Sequence, residues 1–77
     1  MHFLFKMYLI KIIRQEERHM IRILIVEDEP DIQELLRTYL EDAGYQTAVA
    51  GDGVAALSLF QSRPFDLVLL DLMLPVL

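Results

Sequence analysis

The chain has 77 residues, a formal net charge of −5 and no cysteine. This length suits one small domain, and the lack of cysteine excludes a disulfide framework, a thiolate metal site and a cysteine nucleophile. It also suits the reducing cytoplasm. The acidic balance disfavours nonspecific binding to nucleic acid. The charge is uneven, because the first 20 residues carry four basic and two acidic groups and the rest carry three basic and ten acidic groups.

Residues 1–19 form a basic and very apolar N-terminal extension, interrupted by Lys6 and Lys11. A membrane-spanning helix requires about 20 apolar residues, and this run is shorter. A secretory signal would end in small residues at a cleavage site, which this stretch lacks. Two interpretations stay open. The extension is either an amphipathic segment on a membrane surface or a translated stretch upstream of the true start, with the folded body spanning residues 20–77.

The body alternates strand and helix patterns. We predict strands over residues 20–26, 45–50 and 67–70, because these runs are apolar or rich in β-branched residues. Pro30 opens a first helix and Gly44 ends it, and a second helix covers residues 53–62. Helical spacing predicts these core faces: Ile32, Leu35, Leu36, Tyr39, Leu40 and Ala43 in the first helix, and Ala56, Leu57 and Phe60 in the second.

This alternation predicts a parallel sheet with right-handed crossovers. The first and third predicted strands carry unbroken apolar runs, which are typical of strands buried on both faces. Gln46 and Thr47 place the second predicted strand at an edge. The expected spatial order of the predicted strands is therefore 2-1-3, with a ligand crevice at the switch point between the first and the third.

Carboxylates follow the two central strands. Glu27 and Asp28 come after the first, and Asp71 stands at the end of the third. If the three meet within about 4 Å, each pair repels by about 4 kcal/mol, so a cation or a shared proton is needed. Oxygen ligands suit Mg²⁺, and an aspartate can act as a nucleophile toward a phosphoryl group. Structural alternatives stay open, because Glu27 and Asp28 could cap the helix and Asp71 could be a loop residue.

The other acids and the glycines have structural interpretations. Glu29 and Asp31 belong to a helix start, Asp52 to a turn and Asp66 to a strand start. Neither G-x-G-x-x-G nor the P-loop pattern is present. A phosphatase with an aspartate nucleophile would require a D-x-D pair after the first strand, and the chain has Glu27-Asp28-Glu29 there.

Taken together, four motifs resemble the receiver domain of two-component response regulators. They are ILIVEDE at 23–29, GY at 44–45, GDG at 51–53 and DLVLLDLMLP at 66–75. The resemblance implies a flavodoxin-like α/β fold, of which this chain would hold an incomplete βαβαβ portion. It implies that Asp71 accepts phosphate from a histidine kinase, and that Asp28, Asp71, Glu27 and the backbone carbonyl of Met73 bind Mg²⁺. Residues 71–75 are most similar to regulators with a winged-helix DNA-binding output domain.

The chain departs from the family after its third predicted strand. The switch hydroxyl and the phosphate-binding lysine of the family have no counterpart, since no lysine follows Lys11. We therefore expect a truncated receiver, a signalling domain and not an enzyme, with no DNA contact of its own and no spanning segment. The edge of the third strand should be open and prone to self-association. The alternative function is a non-signalling remnant or decoy that binds a kinase without accepting phosphate.

Overall fold

The computed structural model describes residues 8–12 and 20–72, which form one sheet and two helices. The predicted alternation of strands and helices in the body is confirmed. The second helix has the predicted bounds, and the other elements differ from prediction by one or two residues at their ends. In chain order the elements are β1 Tyr8–Ile12, β2 Arg22–Val26, α1 Pro30–Asp42, β3 Gln46–Ala50, α2 Gly53–Ser62 and β4 Leu67–Asp71.

The sheet has the strand order β1-β4-β2-β3. Strand β2 is parallel to both of its neighbours, with Ile23 level with Thr47 of β3 and with Leu67 of β4. The three strands of the body therefore have the predicted 2-1-3 order, and the flavodoxin-like assignment is confirmed. Because the strands are parallel, the carboxyl ends of β2 and β4 lie side by side.

The core is centred on β2, whose last four residues are at most 4% exposed. Leu24 and Val26 pack with Ala50 and Phe65, and Ala55 and Leu59 of α2 cover this cluster from one side. Helix α1 contacts β2 and β3 as well. The continuous apolar run of β2 is thus explained by burial on both faces.

Helix α1 ends at the predicted glycine. Gly44 has φ of 97°, a left-handed conformation that glycine adopts without strain. The Gly44 amide donates to the Glu41 carbonyl, and the Tyr45 amide donates to the Leu40 carbonyl. This pair of bonds is the Schellman motif, which satisfies carbonyls that the helix itself leaves unpaired.

Part of each predicted helix face is wrong. In α1, Leu35 and Tyr39 are 52% and 70% exposed, and Ala43 is exposed as well. In α2, Leu57 and Phe60 are 57% and 42% exposed. Leu57 and Phe60 lie on the side of α2 that is toward β4. No Cα atom of either helix comes within 8 Å of a Cα atom of that strand. An apolar groove of about 250 Å³ remains there, lined by Leu24, Val26, Ala56, Leu57, Phe60, Val68 and Leu70.

The prediction of an open edge on β4 is also wrong. Strand β1, from the N-terminal extension, pairs with β4 in antiparallel fashion along all five residues, from Tyr8 opposite Asp71 to Ile12 opposite Leu67. The predicted self-association required an unpaired edge on β4, and that edge is paired with β1. Residues 8–12 of the predicted N-terminal extension thus form a strand of the same sheet as the body. Neither described helix is long and apolar enough to span a membrane.

Candidate carboxylate site

Three carboxylates meet where β2 and β4 end. Each of Glu27, Asp28 and Asp71 offers an oxygen, and these oxygens all lie within 4.8 Å of one another. Glu27 follows the last residue of β2, and Asp71 is the last residue of β4. Because Val26 is level with Leu70, the parallel register brings the next residue of each strand to the same height. The predicted convergence is therefore present in the fold.

Glu27 is fixed by contacts on three sides and is 0% exposed. Its amide donates to the Ala50 carbonyl at 3.0 Å, which extends the β2–β3 ladder by one residue. Its side-chain Oε2 accepts from the Glu29 amide at 3.0 Å. Its carbonyl accepts from Nε2 of Gln33 in α1. The first loop is thus tied to both the sheet and the helix.

Asp71 and Asp28 differ in exposure. Asp71 is 1% exposed, whereas Asp28 lies in the exposed bend between β2 and α1. The site therefore has a buried base formed by Glu27 and Asp71, with an accessible carboxylate on its solvent side. A ligand can approach from the side of Asp28.

Comparison with known proteins decides the family. The model of the response regulator receiver domain matches residues 23–77 of the chain. The chain belongs to this family. The receiver assignment made from the four motifs is confirmed.

The chain matches about a quarter of the length of its bacterial relatives. The transcriptional regulatory protein YxdJ of Bacillus subtilis is 54% identical over 54 residues, which cover 70% of this chain and 24% of the relative. The DNA-binding response regulator MtrA of Mycolicibacterium smegmatis is 52% identical over the same shares. The response regulator GtcR of Aneurinibacillus migulanus is 44% identical over 55 residues, which cover 71% of this chain and 23% of the relative. The comparison with solved structures gives no match.

The donor set of the receiver site fits Mg²⁺. Within the described residues, the cluster consists of carboxylates alone and includes neither histidine nor cysteine. Hard oxygen ligands favour Mg²⁺ over softer metals. Glu27, Asp28 and Asp71 would hold the ion, while the predicted fourth ligand, the carbonyl of Met73, lies outside the described residues.

The other notable aspartates have structural roles elsewhere. Asp66 lies at the opposite end of β4 and is 5% exposed. Its Oδ2 accepts from the Arg22 amide at 2.9 Å, and its own amide donates to the Arg22 carbonyl at 2.8 Å. Asp52 is the N-cap of α2, where its Oδ1 accepts from the Ala55 amide at 2.8 Å. The sequence analysis assigned Asp52 to a turn, and the structure places it at the start of a helix. The two are easily confused, because an N-cap and a turn both favour a short side chain that accepts a hydrogen bond.

Gln33 is a residue of the site that the sequence analysis missed. It lies four positions after Glu29, on the first full turn of α1, and holds the loop through the Glu27 carbonyl. The available signal was its position, because Cα–Cβ bonds in a helix tilt toward the N-terminus, which lets a long polar side chain in the first turns reach the preceding loop. The side-chain amide of Gln33 is uncharged. It can therefore orient the loop without placing a positive charge beside the carboxylates, where that charge would compete with a bound cation.

Proposed function

We propose that this receiver accepts a phosphoryl group on Asp71 from the phosphohistidine of a sensor histidine kinase, with Mg²⁺ in the site. Asp28 and Asp71 bind the ion directly, Glu27 assists, and the Met73 carbonyl completes the protein ligands. The observation that carries the proposal is the convergence of three carboxylates within 4.8 Å in a receiver family member. Without a cation, such a cluster would carry a large repulsion.

Asp71 is the nucleophile in this proposal. Its Oδ forms the bond to phosphorus while the bond between phosphorus and the histidine nitrogen breaks, and that nitrogen keeps the electron pair and takes up a proton. The rigid strand β4 presents the carboxylate, and burial at 1% exposure limits water around it. Bound Mg²⁺ supplies positive charge that offsets the charge of the incoming phosphoryl group.

The proposed role is that of a signalling domain and not of an enzyme, since Asp71 carries the phosphoryl group as the signal. We place it in the cytoplasm, together with the histidine-bearing domain of its kinase. The relatives are named as transcriptional or DNA-binding regulators, but we assign no DNA contact to this chain. Its net charge of −5 supports that assignment.

The test is phosphorylation by a small donor. The purified chain is incubated with acetyl phosphate and Mg²⁺, and its intact mass is measured. We expect an increase of one phosphoryl group, which is lost in Asp71→Asn and on removal of Mg²⁺. Asp52→Asn is the matched control, because asparagine keeps the N-cap of α2 and lies outside the cluster.

The alternative is a remnant or decoy that binds a kinase without accepting phosphate. It predicts no mass increase for the native chain, even though circular dichroism shows it to be folded. An equal increase in the native chain and in Asp71→Asn would instead place the modification elsewhere. Either result contradicts the proposed role of Asp71.

A further inference from the structure

The two edges of β4 bind different strands. The Asp66 amide donates to the Arg22 carbonyl on the β2 side. Because successive residues of a strand point their amides in opposite directions, Val68 and Leu70 also face β2. The amides and carbonyls of the intervening residues, Leu67, Leu69 and Asp71, therefore face β1.

The backbone of Asp71 is paired with β1 in the sheet. The last pair between β2 and β4 is Val26 with Leu70, so Asp71 lies one residue beyond that ladder. Its partner in the sheet is Tyr8, the first residue of β1. Tyr8 and Asp71 lie directly opposite each other, and the amide and carbonyl of Asp71 point toward β1. In an antiparallel ladder, such a pair exchanges both of its backbone hydrogen bonds. The backbone of the proposed phosphoacceptor is thus held by the N-terminal extension.

Strand β1 is the edge strand of the described sheet and is paired on one side, with β4. Among the described elements, no other has a Cα atom within 8 Å of a Cα atom of β1. An edge strand that is hydrogen-bonded on one side opens at a lower free energy than the global unfolding of a protein. Release of β1 would therefore leave the β2–β3 half of the sheet and its two helices intact.

We infer that Tyr8–Ile12 is a detachable strand that positions Asp71. When β1 is docked, the end of β4 is paired and the Asp71 carboxylate stays beside Glu27 and Asp28. When β1 is released, the last residue of β4 frays and the cluster loses its geometry. By thermodynamic linkage, a bound cation stabilises the docked state of β1 by the same free energy by which docking of β1 strengthens cation binding. The cation part of this inference rests on the proposed function.

Two proline variants of the full chain test the pairing. Ile10 lies at the centre of β1, opposite Leu69, and its backbone amide points toward β4. The backbone amide of Leu9 points away from β4. Ile10→Pro removes a ladder donor, and Leu9→Pro makes the same kind of change at a position where an edge strand tolerates proline. Amide exchange is followed by nuclear magnetic resonance in both variants and in the native chain.

The expected result is selective. Ile10→Pro lowers the exchange protection of Leu69 and Asp71 by about tenfold or more, because their partner strand is released. Val68 and Leu70 keep their protection, because they are paired with β2. Leu9→Pro changes none of these amides by more than about twofold. Unchanged protection of Leu69 and Asp71 in Ile10→Pro would overturn the inference, and so would a loss at all four amides, which would make β1 an integral part of the fold.

A second arm measures the coupling to the site. Mg²⁺ should raise the protection of the Ile10 and Ile12 amides in the native chain, and Ile10→Pro should weaken Mg²⁺ binding about fivefold, the equivalent of one backbone hydrogen bond. Leu9→Pro should bind Mg²⁺ as the native chain does. Binding of Mg²⁺ with no change at Ile10 or Ile12 would overturn the coupling. Failure of the native chain to bind Mg²⁺ would refute the proposed function, and the exchange arm alone would then decide whether β1 holds Asp71.

Discussion

Replacing Asp71 by asparagine should stabilise the chain when no divalent cation is present. The substitution keeps the shape of the side chain and removes one charge from a group that is 1% exposed. The cluster brings together three like charges, so its folded form carries a repulsion that the unfolded chain avoids. Removing the charge of Asp71 relieves part of that repulsion.

The magnitude follows from the separation of the oxygens. At the limiting separation of 4.8 Å and an effective dielectric constant of about 20, the repulsion between Asp71 and the buried Glu27 is about 3.5 kcal/mol. The exposed Asp28, with a dielectric constant near that of water, adds about 1 kcal/mol. The amide is a weaker acceptor than the carboxylate, and losing a hydrogen bond to a charged group costs about 1.5 to 3 kcal/mol. The expected net gain in the free energy of unfolding is therefore about 2 kcal/mol.

Urea denaturation followed by circular dichroism measures this gain. In the presence of a chelator, Asp71→Asn should unfold at higher urea than the native chain, with an unchanged dependence on urea concentration. Mg²⁺ at about 100 times its dissociation constant should stabilise the native chain by about 2.7 kcal/mol and leave the variant almost unaffected. Asp31→Asn is the control, because Asp31 is an exposed acid in the first turn of α1, where the effect should stay below about 1 kcal/mol.

A destabilised Asp71→Asn in the chelator would refute this reasoning. It would mean that the carboxylate gains more from its contacts in the fold than it loses to Glu27 and Asp28. A gain of the same size in Asp31→Asn would also refute it, since the effect would then come from the net charge of the whole chain and not from the cluster.

Three further changes test the elements that hold the site. Asp66→Ala should lower the free energy of unfolding by about 2 to 3 kcal/mol, because it leaves the Arg22 amide without its charged acceptor; a loss below about 0.5 kcal/mol would contradict this role. Asp52→Ala should cost about 1 kcal/mol through loss of the N-cap bond to Ala55, and Asp52→Asn should cost much less. Gly44→Ala should cost about 1 to 2 kcal/mol, since φ is 97° there, although a Cβ would meet no atom within 4 Å. Urea denaturation measures all three, and a neutral Gly44→Ala would show that α1 can end without a left-handed residue.

Much of the fold was predictable because its local signals agree. The proline at the start of α1 and the glycine after its end each have one strongly favoured backbone conformation. The apolar run of β2 identifies a strand buried on both faces. Once the strands were ordered, the meeting of Glu27, Asp28 and Asp71 followed from parallel geometry alone.

The pairing of β1 was not predictable from local pattern. An edge strand is defined by the edge that it joins, and residues 8–12 join an edge that lies more than fifty positions later in the chain. Their sequence, YLIKI, is a short apolar run with one lysine, which suits a strand, a helix or an interfacial segment equally well. The exposure of Leu57 and Phe60 was missed for a related reason. Helical spacing identifies an apolar face, but it does not tell whether a neighbouring element covers that face.

The carboxylate site lies on the boundary between two unequal halves of the sheet. Both helices contact the β2–β3 half, and neither approaches β4 or β1 within 8 Å between Cα atoms. As a result, the last four residues of β2 are fully buried, whereas Leu67–Leu70 of β4 are only half-buried despite a place inside the sheet. Glu27 thus belongs to the half that both helices contact, and Asp71 to the half that neither described helix approaches within 8 Å between Cα atoms. Since local opening follows packing, we expect the position of Asp71 to decide how often the three carboxylates are assembled, and the inferred docking of β1 to change the affinity of the site for a cation.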